Sequence, residues 1–395
     1  MKILILGYSN SGKASYELLK DKHDCFIYDK KKVNLKNYYS YNRLKKELPY
    51  FDLVIRSPGI KITSKVYQLI VQLSKKVISE IELGLEYIKD NYIIGVTGSN
   101  GKTTLVNMIY HLLKSKYIVH KLGNIGVPLT SQVRSINKDD VVILELSSFQ
   151  LENTYSQYFN IGVITNILDN HFDHVFSKEC YIASKLNLIN LSDNIYLDSK
   201  TLNYQIRSNN IINIDNLDNY LNCNLNKYNQ VYWNIACDIA LKLNISKSEI
   251  ENSKFTFEME HFRMENVGNY NNLIFINDSK STSISSTNAC LDVYNDKPRI
   301  IILGGLSKKE DFKKVNKQDN DIVISFGKDK LKIFSSIGEL YFNTIEEVIH
   351  YIFRKYKNKE YYIIFSPGCA SLDQYASYIH RGNTFNSLIN NFCKN

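Results

Sequence analysis

The chain has 395 residues, room for two or three domains at roughly 150 residues each, and we read it as three. Its hydrophobic fraction of 44% is that of a folded soluble protein, and no apolar run approaches the ~20 residues that cross a bilayer, which excludes a membrane span. The net charge of +9 comes from lysines spread along the whole chain, without the basic stripe and interleaved aromatics of a nucleic-acid binder, which argues against that class.

Residues 3–6 form an apolar strand directly after Met1-Lys2, with no signal segment before it, and the expected compartment is the cytoplasm. The turn Gly7-Tyr8-Ser9-Asn10-Ser11-Gly12 leads into a helix ending near Lys20 and then a strand over 24–29. This is a βαβ opening of dinucleotide type, although its glycines lack the Gly-x-Gly-x-x-Gly spacing. Another buried strand, 53–55, runs into Ser57-Pro58-Gly59-Ile60.

The second unit opens with a short buried strand, 92–96, a glycine turn, and helical spacing of apolar residues over 105–113. Between strand and helix stands Gly98-Ser99-Asn100-Gly101-Lys102-Thr103-Thr104. Backbone N–H groups of such a turn converge on phosphate oxygens, Lys102 adds a point charge at the β/γ groups, and Thr103 offers a hydroxyl to Mg²⁺. Apolar strands follow at 141–144 and 161–164, with a helix at 233–240. Glu145 ends the first of these strands, where a carboxylate at the carboxyl edge of a parallel sheet stands beside the phosphates; with Thr103 it is the expected metal ligand. The Asn-rich stretch 190–230 is expected to consist of short or mobile loops.

In the third unit, strands at 273–276, 299–303, 321–325 and 361–365 alternate with helical segments such as 344–351. Alternation of this kind predicts parallel sheets covered on both faces, and boundaries fall at 1–90, 91–260 and 261–395. The seven cysteines, at 25, 180, 223, 237, 290, 369 and 393, form no Cys-x-x-Cys pair and read as reduced thiols.

Thr97-Gly98-Ser99-Asn100-Gly101-Lys102-Thr103-Thr104 resembles the phosphate loop of the Mur ligases and the related folylpolyglutamate synthases. The similarity recurs at Gly123-Asn124-Ile125-Gly126, at Leu144-Glu145-Leu146-Ser147-Ser148-Phe149-Gln150-Leu151-Glu152, at Asn277-Asp278-Ser279-Lys280, at Leu303-Gly304-Gly305 and at Ser366-Pro367-Gly368-Cys369-Ala370-Ser371-Leu372-Asp373-Gln374. It spans nearly the whole chain, and the Leu144–Glu152 run resembles the D-glutamate-adding branch of the Mur ligases.

That resemblance implies an α/β fold of three domains. These are a Rossmann-like N-terminal domain for a uridine nucleotide, a central P-loop ATPase-like parallel-sheet domain, and a C-terminal Rossmann-like domain for the amino acid. It implies an ATP- and Mg²⁺-dependent amide ligase that adds D-glutamate to UDP-N-acetylmuramoyl-L-alanine through an acyl phosphate, in peptidoglycan precursor synthesis. The protein is expected to work as a cytoplasmic monomer whose partners are small molecules and not nucleic acids.

The resemblance also assigns residues. For ATP it points to Gly98, Ser99, Asn100, Gly101, Lys102, Thr103 and Thr104, with Asn234, Arg263 and Asp278. For metal it points to Thr103, Glu145, His171 and Lys185, the lysine carrying a carbamate that turns a cation into an oxygen ligand; Lys102, His171 and Lys185 form the catalytic set. For the uridine substrate it points to Asn10, Ser11, Asp29, Lys30, Lys31, Gly59 and Asn124, and for D-glutamate to Lys280, Thr282, Lys308, Ser371 and Tyr378. The chain departs from the family pattern at Asn170 and Ser307, where aspartate is usual, and at Tyr378, where phenylalanine is. It also lacks the His-Asn pair before Asn234 and the His-Arg dipeptide near Arg263. Three rivals follow: a sibling ligase for another amino acid or a folate acceptor, a catalytically weakened nucleotide-binding homologue, and a basic RNA-binding scaffold.

Overall fold

The computed structural model describes residues 1–73, 75–124, 126–167, 177–204, 210–222, 225, 227–307 and 310–394. The expected His171 and Lys308 both lie outside the described residues, as does Asn170. The chain divides into two compact units, 1–257 and 258–395.

The first unit holds two parallel sheets. Strands β1 (Lys2–Leu6), β2 (Asp24–Tyr28), β3 (Leu53–Arg56) and β4 (Val77–Ser79) pair in the order β2-β1-β3-β4. Their side chains alternate between two cores, as the period of two in a strand requires. Ile3, Ile5 and Ile55 face one cluster, and Leu4, Leu6 and Val54 face the other. The first of these clusters continues into Ile93, Val142 and Leu144 of the second sheet, so the two sheets of this unit share one core.

The second sheet contains β5 (Tyr92–Thr97), β6 (Val119–Gly123), β7 (Val141–Glu145), β8 (Phe159–Ile164), β9 (Ser192–Leu197) and β10 (Ile211–Asn213), in the order β10-β9-β8-β5-β7-β6. Every pairing is parallel. The expectation of loops across 190–230 is corrected here: β9 lies within the stretch, with Ile195, Tyr196 and Leu197 fully buried. The polar Ser192-Asp193-Asn194 opening masks the apolar half of the strand. Tyr196 sends its buried hydroxyl to Asp238 on the covering helix Lys227–Lys242.

Polar contacts also join the two sheets. Arg56, at the end of β3, is 2% exposed; its Nη1 donates to Glu152 at 2.6 Å and to Asn153 at 2.7 Å, while its Nε donates to the Ile60 carbonyl at 2.8 Å. Glu80, following β4, accepts from the Thr130 backbone N–H and hydroxyl at 2.7 and 2.8 Å.

The second unit has one mixed sheet of β11 (Glu265–Tyr270), β12 (Leu273–Asn277), β13 (Arg299–Gly304), β14 (Ile322–Phe326), β15 (Leu340–Tyr341) and β16 (Tyr361–Phe365), in the order β11-β12-β16-β13-β14-β15. Only β11 runs antiparallel, against β12, with a register shift between Asn266 and Gly268. The helix Ile345–Tyr356 is fixed at its start by a capping box between Thr344 and Glu347, and it buries Val348, Ile349 and Ile352 on the sheet. In both units the sheet interiors are continuous apolar runs, which is why they are covered on both faces.

Candidate functional site

Strand β5 lies between β8 and β7, so the glycine turn that follows it emerges at the carboxyl edge of the sheet with neighbours on either side. Two glycines are indispensable there. Gly98 and Gly101 have φ of 145° and 81°, and a β-carbon on them would lie 1.9 Å from the Thr165 hydroxyl and 2.1 Å from the Tyr232 hydroxyl. Gly101 then caps the helix Lys102–Leu113 with no side chain on its first N–H groups, the arrangement of an anion site.

Lys102 curls back over this loop, its Nζ 2.7 Å from the Gly98 carbonyl and 3.1 Å from that of Ser99. Thr103 donates to Glu145 Oε2 at 2.7 Å, and Asn124 donates to Glu145 Oε1 at 3.0 Å. Glu145 is 4% exposed, so a carboxylate and a hydroxyl, both hard oxygen donors, stand together beside the phosphate loop. Asn124, expected on the uridine substrate, is thus held on the candidate metal ligand. Among the described residues, no three His, Cys, Asp or Glu gather as a metal cluster.

Lys185 comes from the helix Lys178–Asn190 and is 2% exposed; its Nζ reaches the same Gly98 carbonyl at 2.8 Å. Burial holds its pKa well below the usual lysine range, the Lys102 charge lowers it further, and Glu145 opposes both. The loop is braced on two sides: the Ser99 hydroxyl meets Tyr181 OH at 3.1 Å, while the Asn100 N–H donates to Asn166 Oδ1 at 3.0 Å and its carbonyl accepts from Thr165 at 2.6 Å. Thr104 is buried in the first helical turn.

Asn234, expected on the nucleotide, is bound to its neighbours: its Oδ1 accepts from the Tyr220 N–H at 3.1 Å and from Gln230 at 2.9 Å, and its Nδ2 faces Asn219. The residue of that helix that meets the loop is Tyr232, two positions earlier and about 200° around the helix axis.

In the first sheet, Gly7, Asp29, Lys30, Lys31, Ser57 and Gly59 line a cavity of ≈ 420 Å³ at the carboxyl ends of the strands. Asp29 shapes its rim by accepting from the Tyr8 and Lys31 N–H groups at 2.7 and 2.9 Å. Asn10 lines a separate cleft of ≈ 390 Å³ with Lys13 and Arg134, and Ser11, partly buried, lines neither.

In the second unit, Asp278 is 3% exposed at the end of β12 and accepts from the hydroxyls of Ser281 and Ser366 at 2.6 and 2.7 Å. Burial pushes its carboxyl up to about 6. Lys280 pairs with Glu260 and lies 5.6 Å from the centre of the Tyr378 ring; Arg263 pairs with the same carboxylate at 2.9 Å. Arg263 is presented by strained backbone, since Phe262 and Met264 on either side have φ of 64° and 51°. Thr282 is partly buried and Ser371 buried.

Glu260 and Arg381 went unnoticed in the sequence. Arg381, fully buried, donates to the Ser279 carbonyl at 2.7 Å and the Cys369 carbonyl at 3.0 Å, tying together the loops after β12 and β16. Its flanking residues, Ile379-His380 and Gly382-Asn383, carry no pattern that signals a buried cation.

The Mur ligase middle domain matches residues 96–273. The chain is 31% identical to the UDP-N-acetylmuramoylalanine--D-glutamate ligase of Hydrogenobaculum sp. (strain Y04AAS1), over 98% of each chain. It is also 31% identical to the ligase of the same name from Francisella tularensis subsp. novicida (strain U112), over 98% of this chain and 95% of that one. Among solved structures, MurF ligase from Thermotoga maritima in complex with ADP superposes with a TM-score of 0.60 at 12% identity, over 98% of this chain and 95% of that one. A pseudomurein peptide ligase type C from Methanothermus fervidus superposes with a TM-score of 0.59 at 17% identity, over 99% of both. The fold is shared with these two structures, and the sequence relationship to the two ligases runs nearly end to end: the chain belongs to the Mur ligase family.

Proposed function

We propose that this protein is an ATP-dependent acid–D-amino-acid ligase that joins D-glutamate to UDP-N-acetylmuramoyl-L-alanine in cytoplasmic peptidoglycan precursor synthesis. The carrying observation is the meeting of Lys102, Thr103, Glu145 and Lys185 around one glycine loop at the edge of β5, in a chain whose full-length relatives bear that activity in their names. Residues 1–90 would hold the uridine nucleotide, 91–260 the ATP, and 261–395 the amino acid.

Amide formation in water is uphill, so the acid must first become a better electrophile. The substrate carboxylate attacks the γ-phosphorus, forming a C–O–P linkage as the P–O bond to ADP breaks. The D-glutamate amine, having lost its proton, then attacks the acyl carbon, and inorganic phosphate leaves with the electron pair of the C–O bond. Lys102 and the loop N–H groups neutralise charge on the transferring group, which is most of what phosphoryl transfer asks of a protein. Thr103 and Glu145, with the expected His171, would hold Mg²⁺, whose contribution is further charge neutralisation at the phosphates.

Lys185 fits the carbamate role because burial, with the Lys102 charge beside it, disfavours its protonated form. A neutral amine adds to CO₂ with loss of one proton, and the resulting anion is an oxygen ligand in place of a buried cation. In the second unit, Lys280 and Tyr378, with the expected Lys308, Thr282 and Ser371, would receive the two carboxylates of D-glutamate. Arg263 and Asp278 would serve the nucleotide.

The test is phosphate release measured with and without each substrate, across a panel of D-glutamate, L-glutamate, lysine and diaminopimelate. Release that requires both the uridine substrate and D-glutamate supports the proposal. Preference for a dibasic amino acid would leave only a general ATP-dependent ligase.

A further inference from the structure

Tyr232 is 3% exposed and projects from the helix Lys227–Lys242 onto the phosphate loop. Its hydroxyl oxygen would stand 2.1 Å from a β-carbon at Gly101, and the ring carbon bearing it 2.2 Å, so the phenol packs on the bare Cα face of that glycine. The same hydroxyl accepts from Asn166 Nδ2 at 3.2 Å. Asn166 in turn accepts from the Asn100 N–H at 3.0 Å and donates to the Asn100 carbonyl at 3.2 Å. One tyrosine therefore touches the loop directly at Gly101 and indirectly, through a single amide, at Asn100.

We propose that Tyr232 is a positioning residue for nucleotide binding: it fixes the Asn100-Gly101 corner so that the loop N–H groups are preset for a polyphosphate. The reasoning is steric and energetic. Gly101 turns the chain into the helix Lys102–Leu113 at a φ of 81°, a conformation glycine holds freely but also leaves freely. A flexible glycine corner must be ordered when the nucleotide arrives, and the ordering opposes binding. The phenol removes that freedom beforehand by filling the side of Gly101 into which the corner would relax.

Tyr232 is itself well anchored. Its neighbour Trp233 is 1% exposed and lies 5.3 Å from the Phe257 ring, which keeps the helix from shifting. Tyr181 braces Ser99 from a different helix, so the two tyrosines hold the loop at separate points.

This inference rests on the reading that the loop binds ATP, and the experiment keeps the two apart. Binding of ADP with Mg²⁺ to wild type and to Tyr232→Phe is measured by calorimetry, together with the melting temperature of each without ligand and the affinity for the uridine substrate. Loss of the hydroxyl alone should weaken ADP roughly threefold to tenfold and raise the ATP KM similarly. The uridine-substrate affinity and the ligand-free melting temperature should stay near wild type. Tyr232→Leu, which also removes the wall beside Gly101, should weaken ADP more than Tyr232→Phe does. Equal ADP affinity in wild type and Tyr232→Phe overturns the inference, as does a matching loss of uridine-substrate affinity. If wild type itself fails to bind ADP, the ATP reading falls instead.

Discussion

Lys102 and Lys185, drawn from two different helices, direct their side-chain nitrogens to one acceptor, the carbonyl oxygen of Gly98. Two ammonium groups so placed repel each other, and at Lys185 that repulsion adds to burial, the larger cause, in lowering the pKa. Lys185→Ala is therefore expected to be nearly inactive, with partial recovery in acetate, a small carboxylate able to take the place of a carbamate. A mass increase on Lys185 that disappears when CO₂ is removed would be the direct sign. Neither rescue nor added mass would return Lys185 to an unmodified amine.

Lys102→Ala should abolish ATP-dependent turnover and leave uridine-substrate binding within about twofold of wild type, because the lysine lies on the phosphate loop, over the Gly98 and Ser99 carbonyls. Titration calorimetry with the uridine substrate measures the second half. A parallel collapse of both would mean that the two sites are not separable.

Arg56→Ala should destabilise the protein by about 3–5 kcal/mol, since it strands the largely buried Glu152 carboxylate and frees the Ile60 carbonyl and Asn153. Urea unfolding gives the value. The double substitution Arg56→Ala, Glu152→Ala should cost clearly less than the sum of the singles, because the second change removes the charge that the first leaves unpaired.

Asp278 makes stability depend on pH in a defined direction. Its folded pKa, about 6, lies above the unfolded value of about 3.9, so the folded state keeps the proton longer. Its contribution is fully present below pH ~4 and is lost as the pH rises through about 6. Asp278→Asn keeps an acceptor for Ser281 and Ser366 without the ionisation. The variant should melt higher than wild type at pH 7.5, gain little at pH 4, and bind nucleotide less well. Equal gains at both pH values would rule out this account.

Glu260 neutralises both Arg263 and Lys280. If Lys280 receives a D-glutamate carboxylate, Glu260 competes with that substrate for the same ammonium. Glu260→Gln should lower the KM for D-glutamate by up to about fivefold, the scale of a partly exposed ion pair, and leave that for the uridine substrate unchanged. A higher D-glutamate KM would instead make Glu260 an organiser of Lys280. Tyr378→Phe should be mild, since the ring that Lys280 overlies is retained.

The phosphate loop and Glu145 could be read from the sequence because their geometry is local. A strand, a glycine corner and a helix are adjacent in the chain, and a strand-end carboxylate needs only parallel pairing to arrive beside them. The contact of Tyr232 with that loop could not be read in the same way. Which side of its helix faces the loop depends on how the helix is rotated over a segment some 130 residues earlier, a fact carried by packing and by no motif. Strand β9 was hidden for a different reason: its first half is polar, and its second half lies buried between β8 and β10, a pairing no local pattern announces. Arg381 acts on backbone carbonyls from two separate loops, and Glu260 joins the near Arg263 to the more distant Lys280, pairings that single-sequence pattern reading does not register.

The shared core of the first two sheets and the Arg56 joint put the cavity proposed for the uridine nucleotide and the phosphate loop on one body. For inhibitor chemistry this means that a molecule carrying a uridine mimic and a polyphosphate mimic on a stiff tether needs to match only one fixed spacing. Once the first head is bound, the second is presented at high effective concentration, and stiffness becomes an advantage.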